Sequence, residues 1–502
     1  MPTRLPLAPV PTKKETVPSF LSRMAAMNGV SSTDLALDMG FSLKRAVHLD
    51  ESALQRIADC GGLTTSQLDE LVSWTGRAIG EVRMVFRDEV FVSRSLRNPV
   101  IRGCPVCLRK DFEAAPDRPL TQMALRGDWQ LKDVSLCIEH LHPLVRLWDV
   151  GRPVDRYDLT SRFTEIMEDI AESKLEQQRS KPSPYDSWLN TRLLNGTDDT
   201  WLKDHSLYAS TTFCSLLGTE LLRLQSSANA NAIPRRRLAQ SLGFNVARSG
   251  DIAIREALDR LANLADGYND EPLKAFGQLY SDLARAHLTK KDFALFRKIL
   301  SDCIVETWPI AKGESVLGFI QPKRRLHSVN SAAQEANIGP AAMEKILIHV
   351  GAISAQDKRQ NSRKTFNAAP YEDILAEIPK LVGPTEMRMA MGATRRQFSS
   401  LAEDGVLRPR FSIPTMKSPW RISDGLALVE ELKRLAKPID APDDRWEQIQ
   451  QAKKRSGINV GSILSAVRLG KLNLARRLDQ EGYKSFLVLK LEIDTMRVRE
   501  KS

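Results

Sequence analysis

Nowhere does the sequence approach the roughly 20 consecutive apolar residues that a membrane-spanning helix needs, and the opening MPTRLPLAPVPTKKET lacks the apolar core of a secretory signal. Both absences point to the cytoplasm. Cysteine is scarce, six in 502 residues, which excludes a scaffold built on disulfides; in a reducing compartment, closely spaced thiols are expected to hold metal. There is no G-x-x-x-x-G-K-[ST] phosphate loop and no acidic triad in a convincing context, so the expectation is a protein that is not an enzyme. A charge surplus is missing from residues 1–320, where 41 Lys and Arg balance 41 Asp and Glu.

The surplus lies beyond. Residues 321–502 hold 32 Lys and Arg against 21 Asp and Glu and so carry the whole net charge of +11. A localised positive excess is the footprint expected of a nucleic-acid-binding part, because each cation at a phosphate releases condensed counterions. The 42% hydrophobic and 27% charged residues describe a folding chain, and its length is enough for about three to five units.

Four of the scarce ligands fall into two matched pairs, Cys104-Pro-Val-Cys107 in RGCPVCLRKD and Cys137-Ile-Glu-His140 in LCIEHLHPL. Zn2+ takes four N or S donors in a tetrahedron, and a C-x2-C turn presents two thiolates to one ion while a second pair closes the shell. Four ligands leave no open position, so a structural site is expected. His142 is a rival for the place of His140. Cys60, Cys214 and Cys303 sit in apolar helical contexts as small core residues.

With these residues in view, the chain resembles the TniQ family, which includes TnsD-like target selectors of bacterial transposons. The resemblance rests on the Pro-rich opening, on Glu15, Ser19, Phe20, Leu21, Arg23, Asn28 and Gly29, and on the C-P-x-C … C-x-x-H module. Thr-Val-Pro stands between Glu15 and Ser19, where the family usually has an adjacent Glu-Ser step. Only Phe112 and Trp129 remain of its aromatic-rich stretch between the metal pairs. The resemblance covers residues 1–150 and implies a zinc module there, with double-stranded DNA, a transposition AAA+ ATPase and a transposase as partners. Read from its own residues, the opening segment is a core helix capped by Ser19 and stopped at Asn28-Gly29.

Residues 151–320 read as an α-helical scaffold without paired carboxylates, a phosphate loop or a nucleophile elbow. Beyond them a pattern occurs three times: a helix, a short turn, a second helix, then a glycine (Gly351, Gly405, Gly470) with an apolar residue two positions on (Ile353, Leu407, Leu472). These are read as helix-turn-helix units spanning 321–375, 376–437 and 438–502. In the middle unit Thr394 caps the second helix, Arg395, Arg396 and Gln397 occupy its exposed start, and Arg408 and Arg410 with Trp420-Arg421 form a basic wing. That unit resembles the winged helix-turn-helix of excisionase and MerR-type regulators. Asn459, Ser462 and Arg468 are the candidate contacts of the third unit, with KSFLVLKLEI as a strand-like wing, and Lys345 is that of the first.

The fold expected is therefore mainly α and multidomain, with a small zinc-binding module in an N-terminal TniQ-like domain and C-terminal helix-turn-helix or winged-helix units. The function expected is a non-catalytic target-site selector in DNA transposition. A sequence-specific transcription regulator and an adaptor to an RNA-guided complex are the alternatives, and self-association is left open.

Overall fold

The computed structural model describes residues 4–224, 234–265, 270–414 and 416–501. Helix takes up 54% of it, so the fold is mainly α. None of its helices is long and apolar enough to cross a membrane. Contacts divide the chain into two compact units, residues 1–304 with 315–319, and residues 305–314 with 320–502.

The first unit is organised around helix Val17–Met27. The helix starts one turn earlier than Ser19 would place it. Thr16 is the cap, its hydroxyl accepting from the Ser19 amide at 3.3 Å, and Pro18 fits the first turn, where an N–H is not needed. Val17, Phe20, Leu21, Met24 and Ala25 have no exposure at all. They pack with helices Ser32–Asp38, Thr65–Thr75 and Leu159–Ala171. Phe163 and Ile170 of the last of these belong to the same core, which therefore extends past residue 150.

A three-stranded antiparallel meander, Arg77–Gly80, Arg83–Phe86 and Glu89–Val92, follows this helical cluster. Strands Val100–Gly103 and Val145–Asp149 then pair across the cysteine region. Further along, helices Leu207–Leu224 and Arg235–Ala247 approach so closely that only glycine fits at their crossing. A Cβ on Gly218 would lie 1.7 Å from the Ala239 carbonyl oxygen, and one on Gly243 would lie 1.9 Å from that of Cys214.

In the second unit all three expected helix pairs are present: Val329–Glu335 with Pro340–His349, Pro384–Ala390 with Arg395–Glu403, and Ile449–Ser456 with Val460–Arg468. Gly351, Gly405 and Gly470 have φ of +76°, +69° and +69°, the left-handed conformation that ends a helix at least cost in glycine. Ile353, Leu407 and Leu472 close back onto the helices as buried residues.

The first pair packs in a separate core, built on Val329, Met343 and Phe366, to which Phe411 of the middle unit contributes. The other two pairs share one, in which Phe398, Leu401 and Trp420 pack with Ile449, Ile463 and Val488. Asp404 joins them, accepting from Lys453 Nζ at 2.9 Å and from the Val460 amide at 2.6 Å. KSFLVLKLEI does not form a free wing. Phe486–Leu489 is an inner strand of a four-stranded sheet, between Leu474–Arg477 and Trp446–Gln448, and Lys490 opens the final helix. Its unbroken apolar run is explained by burial on both faces.

Candidate functional site

Cys104 lies where strand Val100–Gly103 turns into helix Pro105–Glu113, and Cys107 falls in the first turn of that helix. Cys137 ends the short strand Leu136–Cys137, and the chain then reverses through Leu141, held at φ +55°. These two turns bring four donors together. His140 Nδ1 stands 3.1 Å from Cys107 Sγ, 3.7 Å from Cys137 Sγ and 3.9 Å from Cys104 Sγ, and the Cys107 and Cys137 sulfurs are 3.7 Å apart.

With metal–sulfur bonds of about 2.3 Å, the edge of a tetrahedral thiolate shell is about 3.8 Å, so the spacing suits one ion at the centre. No disulfide joins these cysteines, and all four residues could hold a metal ion. Thiols this crowded cannot all ionise unaided. Hydrogen bonding to Cys104 and Cys137, together with burial, holds Cys107 far above the ordinary thiol range, while bonds from Cys104 and Cys107 hold Cys137 far below it. A cation would remove that conflict.

His142, the rival ligand, is engaged elsewhere: its Nε2 accepts from the Gln177 amide at 2.7 Å, and its Nδ1 lies 2.6 Å from the Pro143 carbonyl oxygen. The outer ring of His140 is buried, with Nε2 lacking a hydrogen-bond partner and the Glu139 carboxylate 3.6 Å away. Glu139 is largely exposed and makes no hydrogen bond to that nitrogen. Arg126 supplies positive charge near Cys107 while paired to Asp111 and lying over the Trp129 ring at 5.3 Å.

The motif residues of the opening form a second buried constellation. Arg23 Nη1 donates to Glu15 Oε2 at 2.8 Å, with both side chains almost wholly buried. Ser19 Oγ donates to Glu15 Oε1 at 2.9 Å and accepts from the Leu125 amide at 2.9 Å. Arg23 also donates to the Thr121 and Val10 carbonyls, and Asn28 to that of Leu7. The three residues between Glu15 and Ser19 therefore leave the pair in contact, because Thr16 starts the helix and puts Ser19 nearly one turn beyond Glu15. Residues 6–144, which contain both constellations, match the family model TniQ.

This stretch is therefore similar to TniQ, and it is called the TniQ region below. The TniQ family is associated with transposition. Among curated proteins, none matches the chain. Outside the TniQ region, the structure separates the residues expected to face DNA into two groups.

Arg395, Arg396 and Arg408 are exposed, as is Lys345 on helix Pro340–His349. Thr394 caps helix Arg395–Glu403, accepting from the Gln397 amide at 3.3 Å. Gln397 is not at an exposed start. It is 3% exposed, with its Oε1 accepting from the Thr394 amide at 2.8 Å, because a reciprocal capping box turns the third residue of a helix back toward the cap.

Arg410 and Arg421, expected in a wing, both pair with Glu377, and Trp420 packs edge-on against Phe398 at 4.9 Å. In the third unit the Asn459 side chain caps its own helix, accepting from the Ser462 amide at 2.7 Å. Arg468 is held by Glu431 through two bonds of 2.6 and 2.9 Å. The sequence reading missed Glu377 and Glu431, whose only signal is a carboxylate more than thirty residues upstream of its arginine.

Proposed function

We propose that this protein is a DNA-binding target-site selector in transposition, which catalyses nothing itself and hands a chosen site to a transposase and its AAA+ ATPase. Zn2+ is the metal assigned to Cys104, Cys107, Cys137 and His140, where it would act as a structural cross-link that fixes the TniQ region. The donor set of three thiolates and one imidazole, closed and without an open position, supports that choice. Residues 151–320 are assigned to a scaffold, and 321–375, 376–437 and 438–502 to three helix-turn-helix modules, all acting in the cytoplasm.

The reading is carried by one conjunction: a TniQ region in the same chain as a helix-turn-helix pair whose second helix begins with Arg395 and Arg396 exposed on a capped turn. Arginine at that position is suited to the O6 and N7 atoms of guanine in the major groove. Arg408 and Lys345 are assigned to phosphate. Ser462 is kept as a minor contact, while Gln397 and Asn459 are assigned to capping their own helices, Arg410 to its pair with Glu377, and Arg468 to linking the third module to the middle one.

Selection of binding sites by the full-length protein from random duplexes tests the reading. A single enriched motif, and co-purification of a transposition AAA+ ATPase only when that motif is present, is the expected result. No enrichment at any salt concentration would end the proposal.

A further inference from the structure

Residues 1–320 have no net charge to offer, yet the cations of the first unit are not evenly dispersed. Arg83 begins the middle strand of the meander, directly opposite Val92, and Arg94 lies just after that strand pair in the short turn Ser93–Ser95. Both are exposed. Lys290, from the segment before Lys291–Phe293, reaches the same place, with its Nζ 5.5 Å from the Tyr208 ring centre and 3.4 Å from His287 Nδ1. The Arg94 guanidinium sits beside the Tyr208 hydroxyl.

Several cations of this unit, Lys14, Arg192 and Arg236 among them, have a carboxylate partner. Among the described residues, none of Arg83, Arg94 and Lys290 has a carboxylate within ion-pair distance, and Asp292 is the nearby acid acting on Lys290. The cations instead act on one another. Burial first, then Arg94 and Arg83, hold Lys290 below the usual lysine range. Burial, then Lys290 and Arg94, push His287 down to about 4.

The platform beneath is rigid. His287 stacks on Phe293 at 3.9 Å, and Tyr208 meets both rings and Phe91 edge-on. All four rings are buried, from 0 to 8% exposed, so none is available to stack on a base. Only the charged rim faces outward, which fits an anion without a recognised shape.

We infer that Arg83, Arg94 and Lys290 form a phosphate-backbone contact for nucleic acid in the first unit, independent of sequence and additional to the helix-turn-helix readout. This inference rests on the DNA-binding reading proposed above. It places part of the electrostatic affinity in the half of the chain that has no net positive charge.

The test is the affinity of the full-length protein for its selected duplex over a salt series. Arg83→Ala with Arg94→Ala and Lys290→Ala should flatten the log–log salt dependence by about 2 to 3 units, at about 0.9 per phosphate contact. The preferred sequence should be unchanged and the affinity at moderate salt lower on the order of tenfold. Arg83→Gln alone, at an exposed strand position, should flatten it by about one unit with unchanged melting, which separates the effect from misfolding.

An unchanged slope in both variants, with Arg395→Ala plus Arg396→Ala still losing sequence preference, would overturn this inference and leave the DNA-binding reading standing. Failure of the unmodified protein to bind any duplex would overturn both. Normal DNA binding by the triple variant combined with loss of an acidic protein partner would also overturn the inference and assign the cluster to that partner.

Discussion

In the TniQ region the polar residues that define the motif turn inward, whereas in the middle helix-turn-helix unit the informative ones turn outward. Glu15, Ser19, Arg23 and the four metal-site residues are buried, and their partners lie inside the fold. Arg395 and Arg396 are exposed. The third unit stands between these extremes, since its Arg468 is partly exposed but already committed to Glu431. A polar motif can thus be kept for architecture or for contact, and the difference lies in whether its partners are internal. Substitutions should separate the two cases by what they damage, stability or recognition.

The largest effect is expected at the metal site. Cys104→Ser should release about one metal ion per chain and destabilise the first unit on the order of 5 kcal/mol or more, because metal binding there is folding free energy. Metal analysis and thermal unfolding check this, and full metal content with an unchanged transition would remove the cluster from the architecture. Next comes the buried pair. Arg23→Ala strands the Glu15 carboxylate and should cost about 3–5 kcal/mol, read from denaturant unfolding, with metal content retained in the folded fraction. A loss below about 1 kcal/mol would mean that water reaches Glu15.

A smaller effect, in a different observable, is expected from the outward set. Arg395→Ala with Arg396→Ala should lose about 1–3 kcal/mol of binding per base contact and relax the selected motif, with unfolding unchanged. An identical motif from the variant would show that the comparison fails at its outward end. The smallest effect is expected at Arg468→Ala. Loss of its partly exposed pair should change stability by less than about 1 kcal/mol and leave DNA affinity unaltered; a clear loss of affinity would show that DNA displaces Glu431.

The gathering of Cys104, Cys107, Cys137 and His140, which could hold a metal ion, was legible in the sequence because both pairs are local, and a C-x2-C or C-x2-H spacing already fixes two donors on one turn. The three helix pairs were legible for a similar reason. Each ends in a glycine whose left-handed backbone leaves a mark at a single position, followed by an apolar residue that must close back. Pairings distant in the chain were not legible. Nothing local predicts that Glu377 takes Arg410 and Arg421, or that Glu431 takes Arg468. Gln397 was misplaced even though its signal was local, because Thr-x-x-Gln is itself a capping box and that box draws the side chain inward. KSFLVLKLEI was misplaced because a run of apolar residues does not say whether a strand is at an edge or inside a sheet.

Asp404, which belongs to the middle helix pair and caps the second helix of the third, has a consequence for how such chains can be rebuilt by recombination. A crossover in the stretch between the two pairs would separate a carboxylate from the Val460 amide and from Lys453, and would divide one shared core between two parents. The last two modules should therefore be inherited as a block, exchanged together or not at all. The first pair has a separate core, but Leu381 and Phe411 of the middle unit help to fill it, so it too would lose packing partners if moved alone.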